Sequence, residues 1–234
     1  MGRYTITQQD YLNASQIFHW ATKEHFKTWF TGKFGVRHRR TEVMLPRLVR
    51  KKKLVAVRHG RCLVYAAPRR MRRENEVRKI EHGLAVTESL IRFWFSDRSA
   101  TIIDERFFYG LGAVPEFGLK YPSGKMLLFE YCSLNNFERT SRLASKIYRY
   151  SLSIRDINQK FNANSLVLFV VDVPKARLIN FQIKYGGSSS SCYFTDYQSF
   201  LSVPFGEQLT APIYYWADDL EARPLRNNDR DSSS

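Results

Sequence analysis

The 234-residue chain is long enough for one large domain or two small ones, each with its own apolar core, and 44% hydrophobic and 15% aromatic content describe a folded protein. No run approaches the roughly eighteen consecutive apolar residues of a membrane span, and MGRYTITQQD lacks the apolar core of a signal peptide, which predicts a cytoplasmic protein without a membrane partner. Three scattered cysteines and five histidines without HExxH or HxH spacing exclude a disulfide framework and a structural zinc site, and no small-molecule cofactor is indicated.

The net charge is +15, and it is concentrated. Between Arg37 and Lys79 stand 16 Lys plus Arg against 3 Glu, a local +13 that leaves only +2 for the rest. Charge gathered in this way predicts a polyanion partner, with a merely soluble surface as the alternative.

The spacing of Tyr11, Leu12, Ala14, Ile17, Phe18 and Ala21 predicts a first helix over Gln8 to Ala21. Thr22 is suited to cap a second helix with Phe26, Trp29 and Phe30 on its apolar face, ended by Gly32 and Gly35. A third runs from Arg39 to Lys52, with Val43, Leu45, Leu48 and Val49 on one side and basic residues on the others. Pro46 inside it predicts a kink or a shifted start. Leu54 to Arg58 and Cys62 to Ala67 then form a β-hairpin turning at Gly60.

Three helices followed by a hairpin is the order of a winged helix-turn-helix, whose third helix enters the major groove while the hairpin touches backbone or minor groove. The candidate DNA-binding residues are Arg37, Arg39, Arg40, Arg47, Arg50, Lys51, Lys52, Lys53, Arg58 and Arg61. Arginine bonds guanine edges bidentately and lysine mostly neutralises phosphate. The alternative is a helical domain that packs on a protein partner.

The predicted domains are residues 1–70 for the winged helix-turn-helix, 71–79 for a charged linker, 80–224 for an α/β domain and 225–234 for a disordered tail. In the second domain, a helix over His82 to Asp97 precedes strands over Ala100 to Phe108, Val114 to Lys120 and Met126 to Cys132. A helix from Arg139 to about Ile157 buries Leu143, Ile147, Tyr150 and Ile154, and a strand over Leu166 to Val173 follows. Further β-type runs at Ala176 to Lys184 and Cys192 to Phe194 lead to a short helix near Tyr197 to Leu201. The fold class is therefore α+β, with a mixed sheet in the second domain.

Pairing about the turn at Ser123 sets Glu116 opposite Glu130. Opposed carboxylates repel, and such a pair persists most easily with a cation or basic group between them or with both in water. Paired acids on adjacent strands are also how nucleases hold Mg²⁺, so Glu116 and Glu130 are candidate metal ligands. Arg139, Arg142, Lys146 and Arg149 share one helix face that is suited to hold phosphate, to neutralise the acids or simply to face solvent.

The segments KIEHGLAVTESLIRFW, IIDERFF, VPEFGL, LLFEYC and RLASKIYRY resemble the replication-relaxation family of plasmids, phages and other mobile elements, over roughly residues 8 to 205. The resemblance implies a winged helix joined to a PD-(D/E)XK nuclease-like domain. Glu116 after Pro115 stands where that family usually has Asp, Glu130 fills the next acidic position, and Lys146 and Tyr150 match its helical Lys and Tyr. Glu105, or alternatively Glu88, supplies a further acid, and Arg142 belongs to the same neighbourhood. A standard nuclease motif has Lys two residues after Glu130, where this chain has Cys132, which neither polarises water nor stabilises phosphorane charge.

The leading expectation is a sequence-specific double-stranded DNA binder regulating replication or transcription of a mobile element, with a second domain that does not cleave and serves dimerisation or added DNA contacts. The alternatives are a Mg²⁺-dependent endonuclease using Glu116, Glu130 and Lys146, and a nonspecific binder of RNA or single strands through stacked aromatics.

Overall fold

The computed structural model describes all residues except 1–4, 35–39, 72–76, 135–139, 175, 178–191, 203–211, 216–221 and 225–234. It is a mixed α+β fold in two compact units, residues 1–95 and 96–234. No helix among the described residues is long and apolar enough to cross a membrane.

In the first unit the order is helix α1 (Gln8–Ile17), strand β1 (Ala21–Thr22), helices α2 (Lys23–Phe34) and α3 (Thr41–Arg50), strands β2 (Val55–His59) and β3 (Cys62–Ala66), a short helix α4 (Pro68–Met71) and the long α5 (Val77–Ser96). The three strands form an antiparallel sheet in the order β1-β3-β2. Thr7 opens α1 through a capping box with Asp10. Thr22 does the same for α2 with His25 in the usual acid's place: its hydroxyl accepts from His25 N–H, and its own N–H donates to His25 Nδ1, both at 3.2 Å. The first helix stops at Ile17, so Ala21 joins a strand instead.

Aromatic packing builds this unit's core. Tyr11 meets Phe30 edge-on at 4.6 Å between ring centroids, Phe18 meets Phe26 at 5.3 Å, and Tyr11 OH bonds Thr41 Oγ1 at 3.0 Å. That last contact pins the start of α3, whose buried face is Thr41, Leu45 and Leu48. Val43 is 69% exposed and lies on the opposite face.

Helix α5 belongs to this unit, although the sequence suggested that a domain boundary precedes it. Ile80 clusters with Trp20, Val64 and Ala66, and the carbonyl of Gly83 accepts from Trp20 N–H. Thr87 Oγ1 accepts from His19 N–H at 3.1 Å, and Glu88 pairs with His25 Nε2 at 3.2 Å. Val77–Lys79, predicted as linker, are the helix's first turn; the rest of that segment that lies in 72–76 falls outside the described residues. Buried residues stand on nearly every side of α5, among them Ala85, Val86, Thr87, Ser89, Leu90 and Ile91, so its period alone does not say which unit it joins.

The second unit is a seven-stranded mixed sheet in the order β10-β9-β8-β7-β6-β5-β4, with β4 (Thr101–Asp104), β5 (Phe117–Lys120), β6 (Lys125–Cys132), β7 (Asn164–Val171), β8 (Cys192–Asp196), β9 (Pro212–Tyr215) and β10 (Ala222–Pro224). An antiparallel meander β4-β5-β6 is followed by a crossover helix α6 (Thr140–Phe161), which returns the chain to β7, parallel to β6. Strand β8 is parallel to β7 and leads into α7 (Tyr197–Ser202). The first strand is shorter than predicted because Asp104 accepts Arg106 N–H and starts a 3-10 turn, Glu105–Phe108. The β-run predicted at Ala176 to Lys184 lies mostly outside the described residues, as does the tail at 225–234.

Residues alternate across β6. Met126, Leu128 and Cys132 join Leu143, Ile147, Tyr150 and Ile157 of α6 in one core, while Phe129 stacks on Phe117 on the other face at 4.5 Å. Glu130 has the parity of the α6 face, and it is 1% exposed.

Candidate functional sites

Two groups of residues, one in each unit, carry the chemistry. In the first unit the exposed face of α3 presents Glu42, Pro46, Arg50, Val43 and Arg47 within an arc of roughly 140° at 3.6 residues per turn. Pro46 lies inside the helix and cannot donate to Glu42 C=O, and its exposure leaves that carbonyl on the side where water can bond it. Glu42 is bonded by Lys23 at 3.1 Å and Lys27 at 3.3 Å, which hold its carboxyl below the usual range. The acid on the arginines' own helix face is thereby engaged by lysines of the preceding helix.

Lys51, Lys52 and Lys53 continue from α3 as an exposed cap. Lys52 N–H donates to Val49 C=O at 2.8 Å and Lys53 N–H to Leu48 C=O at 2.9 Å, a Schellman motif. Lys52 holds the left-handed position, φ 55°, that glycine usually takes. The hairpin tip is the two-residue turn Gly60-Arg61, where Gly60 has φ 57°, flanked by exposed Arg58. Arg40, Arg47, Arg50, Lys51, Lys52, Lys53, Arg58 and Arg61 are exposed, and none pairs with an acid among the described residues. Arg37 and Arg39 lie outside the described residues.

In the second unit, Phe117 pairs with Phe129 and Asp104 with Phe117, so continuing both registers brings Glu105, Glu116 and Glu130 to neighbouring positions at one end of β4, β5 and β6. The register inferred from Ser123 is the observed one, although β5 itself begins one residue after Glu116, whose N–H donates to Phe129 C=O at 2.9 Å. Carboxylate oxygens of Glu105 and Glu116 lie within 4.8 Å of one another.

Glu130 is held from above by α6. Lys146 Nζ donates to Oε2, and Tyr150 OH donates to Oε1 at 2.7 Å. Burial raises the Glu130 carboxyl, the Lys146 charge opposes this, Glu116 adds to it, and the net direction is upward. Burial lowers the Lys146 ammonium, but Glu130 and Glu116 outweigh it and hold the group above the ordinary lysine value. Burial and the neighbouring carboxylate also keep Tyr150 protonated. The basic group that opposed glutamates need is thus supplied by the helix.

The site can be tested against the divalent cation that the sequence suggested. Glu105 and Glu116 are hard oxygen donors at a workable spacing for Mg²⁺. Both oxygens of Glu130 already accept a hydrogen bond, from Lys146 and from Tyr150, and the Lys146 ammonium occupies the place where a cation would add its charge. Cys132 supplies no base: burial pushes its thiol up to about 12.

Beside Lys146, a cleft of about 420 Å³ opens between α6 and the ends of β6 and β7, lined in part by Arg142, Arg149, Tyr131 and Cys132. Arg139, on the same predicted face, lies outside the described residues. Sequence reasoning set Arg142, Lys146 and Arg149 on one helix face but did not find the cleft, which also needs Tyr131 and Cys132 of β6 and Phe169 of β7 beside them. Comparison with family models, curated proteins and solved structures yields no match.

Proposed function

We propose that this chain is a sequence-specific double-stranded DNA-binding protein in which residues of the first unit form a winged helix-turn-helix. The order helix-strand-helix-helix-strand-strand and the β1-β3-β2 sheet support that reading. One observation carries it: Arg47, Arg50, Lys51, Lys52, Lys53, Arg58 and Arg61 are exposed on α3, its cap and the hairpin tip, without acidic partners among the described residues. Cations held out of internal ion pairs remain available to displace counterions from a phosphate backbone.

In this reading α3 lies in the major groove with Arg47 and Arg50 toward base edges, the lysine cap meets phosphate, and Arg61 reaches the neighbouring backbone or minor groove. The second unit is proposed as a PD-(D/E)XK-like scaffold, supported by its meander, crossover helix and parallel strand. With Glu130 bonded to Lys146 and Tyr150, it serves dimerisation or additional DNA contacts rather than cleavage. The resemblance to replication-relaxation proteins suggests a role in replication or transcription of a mobile element.

Selection of bound duplexes from a random pool tests the reading. A common motif is expected, with Arg47→Ala and Arg50→Ala each costing about 1–3 kcal/mol and relaxing preference at particular bases. Equal affinity for duplex and single strands at matched salt would refute it. A second reading, a Mg²⁺-dependent endonuclease, is favoured by Glu105 and Glu116, whose carboxylate oxygens lie within 4.8 Å of one another, and by the register that sets Glu116 opposite Glu130. It requires duplex cleavage that a chelator stops and that Glu116→Gln abolishes.

A further inference from the structure

We propose that the cleft beside α6 is a binding site for a phosphate ester of about nucleotide size. This does not rest on the DNA-binding reading of the first unit. Arg142, Lys146 and Arg149 line the cleft, and spacings of four and three residues keep them within roughly a 60° arc of the helix. Among the described residues no carboxylate lines it. The Lys146 charge is already matched by Glu130, so the lining retains the two guanidinium groups as its surplus.

Neither guanidinium is neutralised by an acid among the described residues. Arg142 is exposed without such a partner, and Arg149 Nε donates to Ser145 C=O at 3.4 Å. Guanidinium forks match phosphate oxygens bidentately, and two of them flanking an ammonium favour an anion with several oxygens over a simple halide or carboxylate. The other described lining residues, Tyr131, Cys132, Leu143, Ser145 and Phe169, carry no charge and form a surface for an uncharged sugar or base. About 420 Å³ is in the range of small-ligand pockets and larger than a phosphate alone requires. The cleft also lies where β6 ends beside its parallel neighbour β7, outside the carboxyl ends of parallel strands, the usual ligand crevice of such sheets.

Cys132 is part of the same geometry. A lysine at that position, as in a standard nuclease strand, would project a long cationic side chain into the space the thiol leaves open. The thiol remains protonated, with its pKa pushed up to about 12, and adds no negative charge to repel a phosphate.

The test is calorimetric titration of the full chain with 2′-deoxyadenosine 5′-monophosphate, with inorganic phosphate and with deoxyadenosine at constant ionic strength. The nucleotide is expected to bind at least about tenfold more tightly than the nucleoside, and the double variant Arg142→Ala/Arg149→Ala to lose at least about tenfold of that affinity. Arg155→Ala, on the opposite face of α6, and Arg47→Ala/Arg50→Ala on α3 are expected to leave it unchanged. Circular dichroism verifies that each variant is folded. Because α3 and the cleft are changed separately, failure here and failure of the DNA-binding reading are distinguishable. Labelled duplexes ending in 5′-phosphate or 5′-hydroxyl identify the source. A preference for phosphate that the double variant abolishes marks a DNA terminus; nucleotide binding without that preference marks a free nucleotide. Equal binding of nucleotide and nucleoside, no binding of the nucleotide, or retained affinity in the double variant would overturn the proposal.

Discussion

Lys146 is the counter-charge of Glu130: its ammonium donates to one carboxylate oxygen from α6, while Tyr150, one turn along, takes the other. The pair is unequal, since Glu130 is 1% exposed and Lys146 retains 35%. Removing the lysine therefore strands a buried acid, whereas removing the acid leaves a lysine that can reach water.

Lys146→Met is accordingly expected to destabilise the fold by about 3 kcal/mol at neutral pH, the low end for a broken buried pair because the lysine is partly solvated. The pH dependence has a definite sign. A carboxyl whose folded pKa lies above its unfolded value contributes stability below the unfolded pKa and loses it as pH rises through the folded one. Without Lys146 that folded value rises further. The deficit of the variant should therefore grow from pH 5 to pH 8 in urea unfolding, and Glu130→Gln in the Lys146→Met background should recover most of it. A deficit independent of pH would show that lost packing, not charge, is the cause.

The site was legible in the sequence where local chemistry dictates geometry. Gly124, with φ 80°, closes the Tyr121–Gly124 turn, so counting outward from Ser123 aligned Glu116 with Glu130 correctly. The stripe Leu143, Ile147 and Tyr150 likewise follows from a single helical period. Less legible were features decided by distant contacts. The two-residue strand β1 exists only because β3 pairs with it, and α5 joins the first unit through Trp20 and His25. Glu105 to Phe108 read as strand until the Asp104 side chain is seen capping a 3-10 turn there. Partners far apart in the chain decide these, and neither propensity nor period encodes them.

Lys52 offers a separation of stability from function. Its left-handed backbone costs a non-glycine residue about 1 kcal/mol, so Lys52→Gly should raise the unfolding free energy by about that amount. The same change removes one cation from the end of α3. If that lysine meets a phosphate, duplex binding should weaken and the salt slope should fall by about 1. A variant that is more stable and binds DNA with an unchanged slope would remove Lys52 from the proposed interface.

Gly83 lies mid-helix, where alanine ordinarily stabilises by about 1 kcal/mol. Here a Cβ would stand 2.7 Å from Trp20 Cδ1 and 3.2 Å from His19 Cβ, and Trp20 is fully buried. Overpacking of about 1–3 kcal/mol outweighs the propensity gain, so Gly83→Ala should be destabilising in thermal and urea unfolding. A stabilised Gly83→Ala would mean that α5 can move away from Trp20 at little cost.

The same ion pair makes an opposite claim about metals. In the wild-type chain Lys146 supplies a positive charge to Glu130 and Glu116, so an added divalent cation competes with an ammonium already in place. Lys146→Met removes the competitor and leaves Glu105, Glu116 and Glu130 at neighbouring register positions, hard oxygen donors relieved of the Lys146 ammonium. Mn²⁺ should therefore bind the variant at least about tenfold more tightly than the wild type, and should restore part of the stability lost, because a ligand that binds only the folded state stabilises it. Glu116→Gln added to Lys146→Met should cancel both effects. Calorimetric titration with Mn²⁺ and thermal unfolding with and without the ion measure them. Equal Mn²⁺ affinity in wild type and Lys146→Met would mean that the lysine does not stand in for a metal, and that the three carboxylates are too far apart or too well solvated to act together.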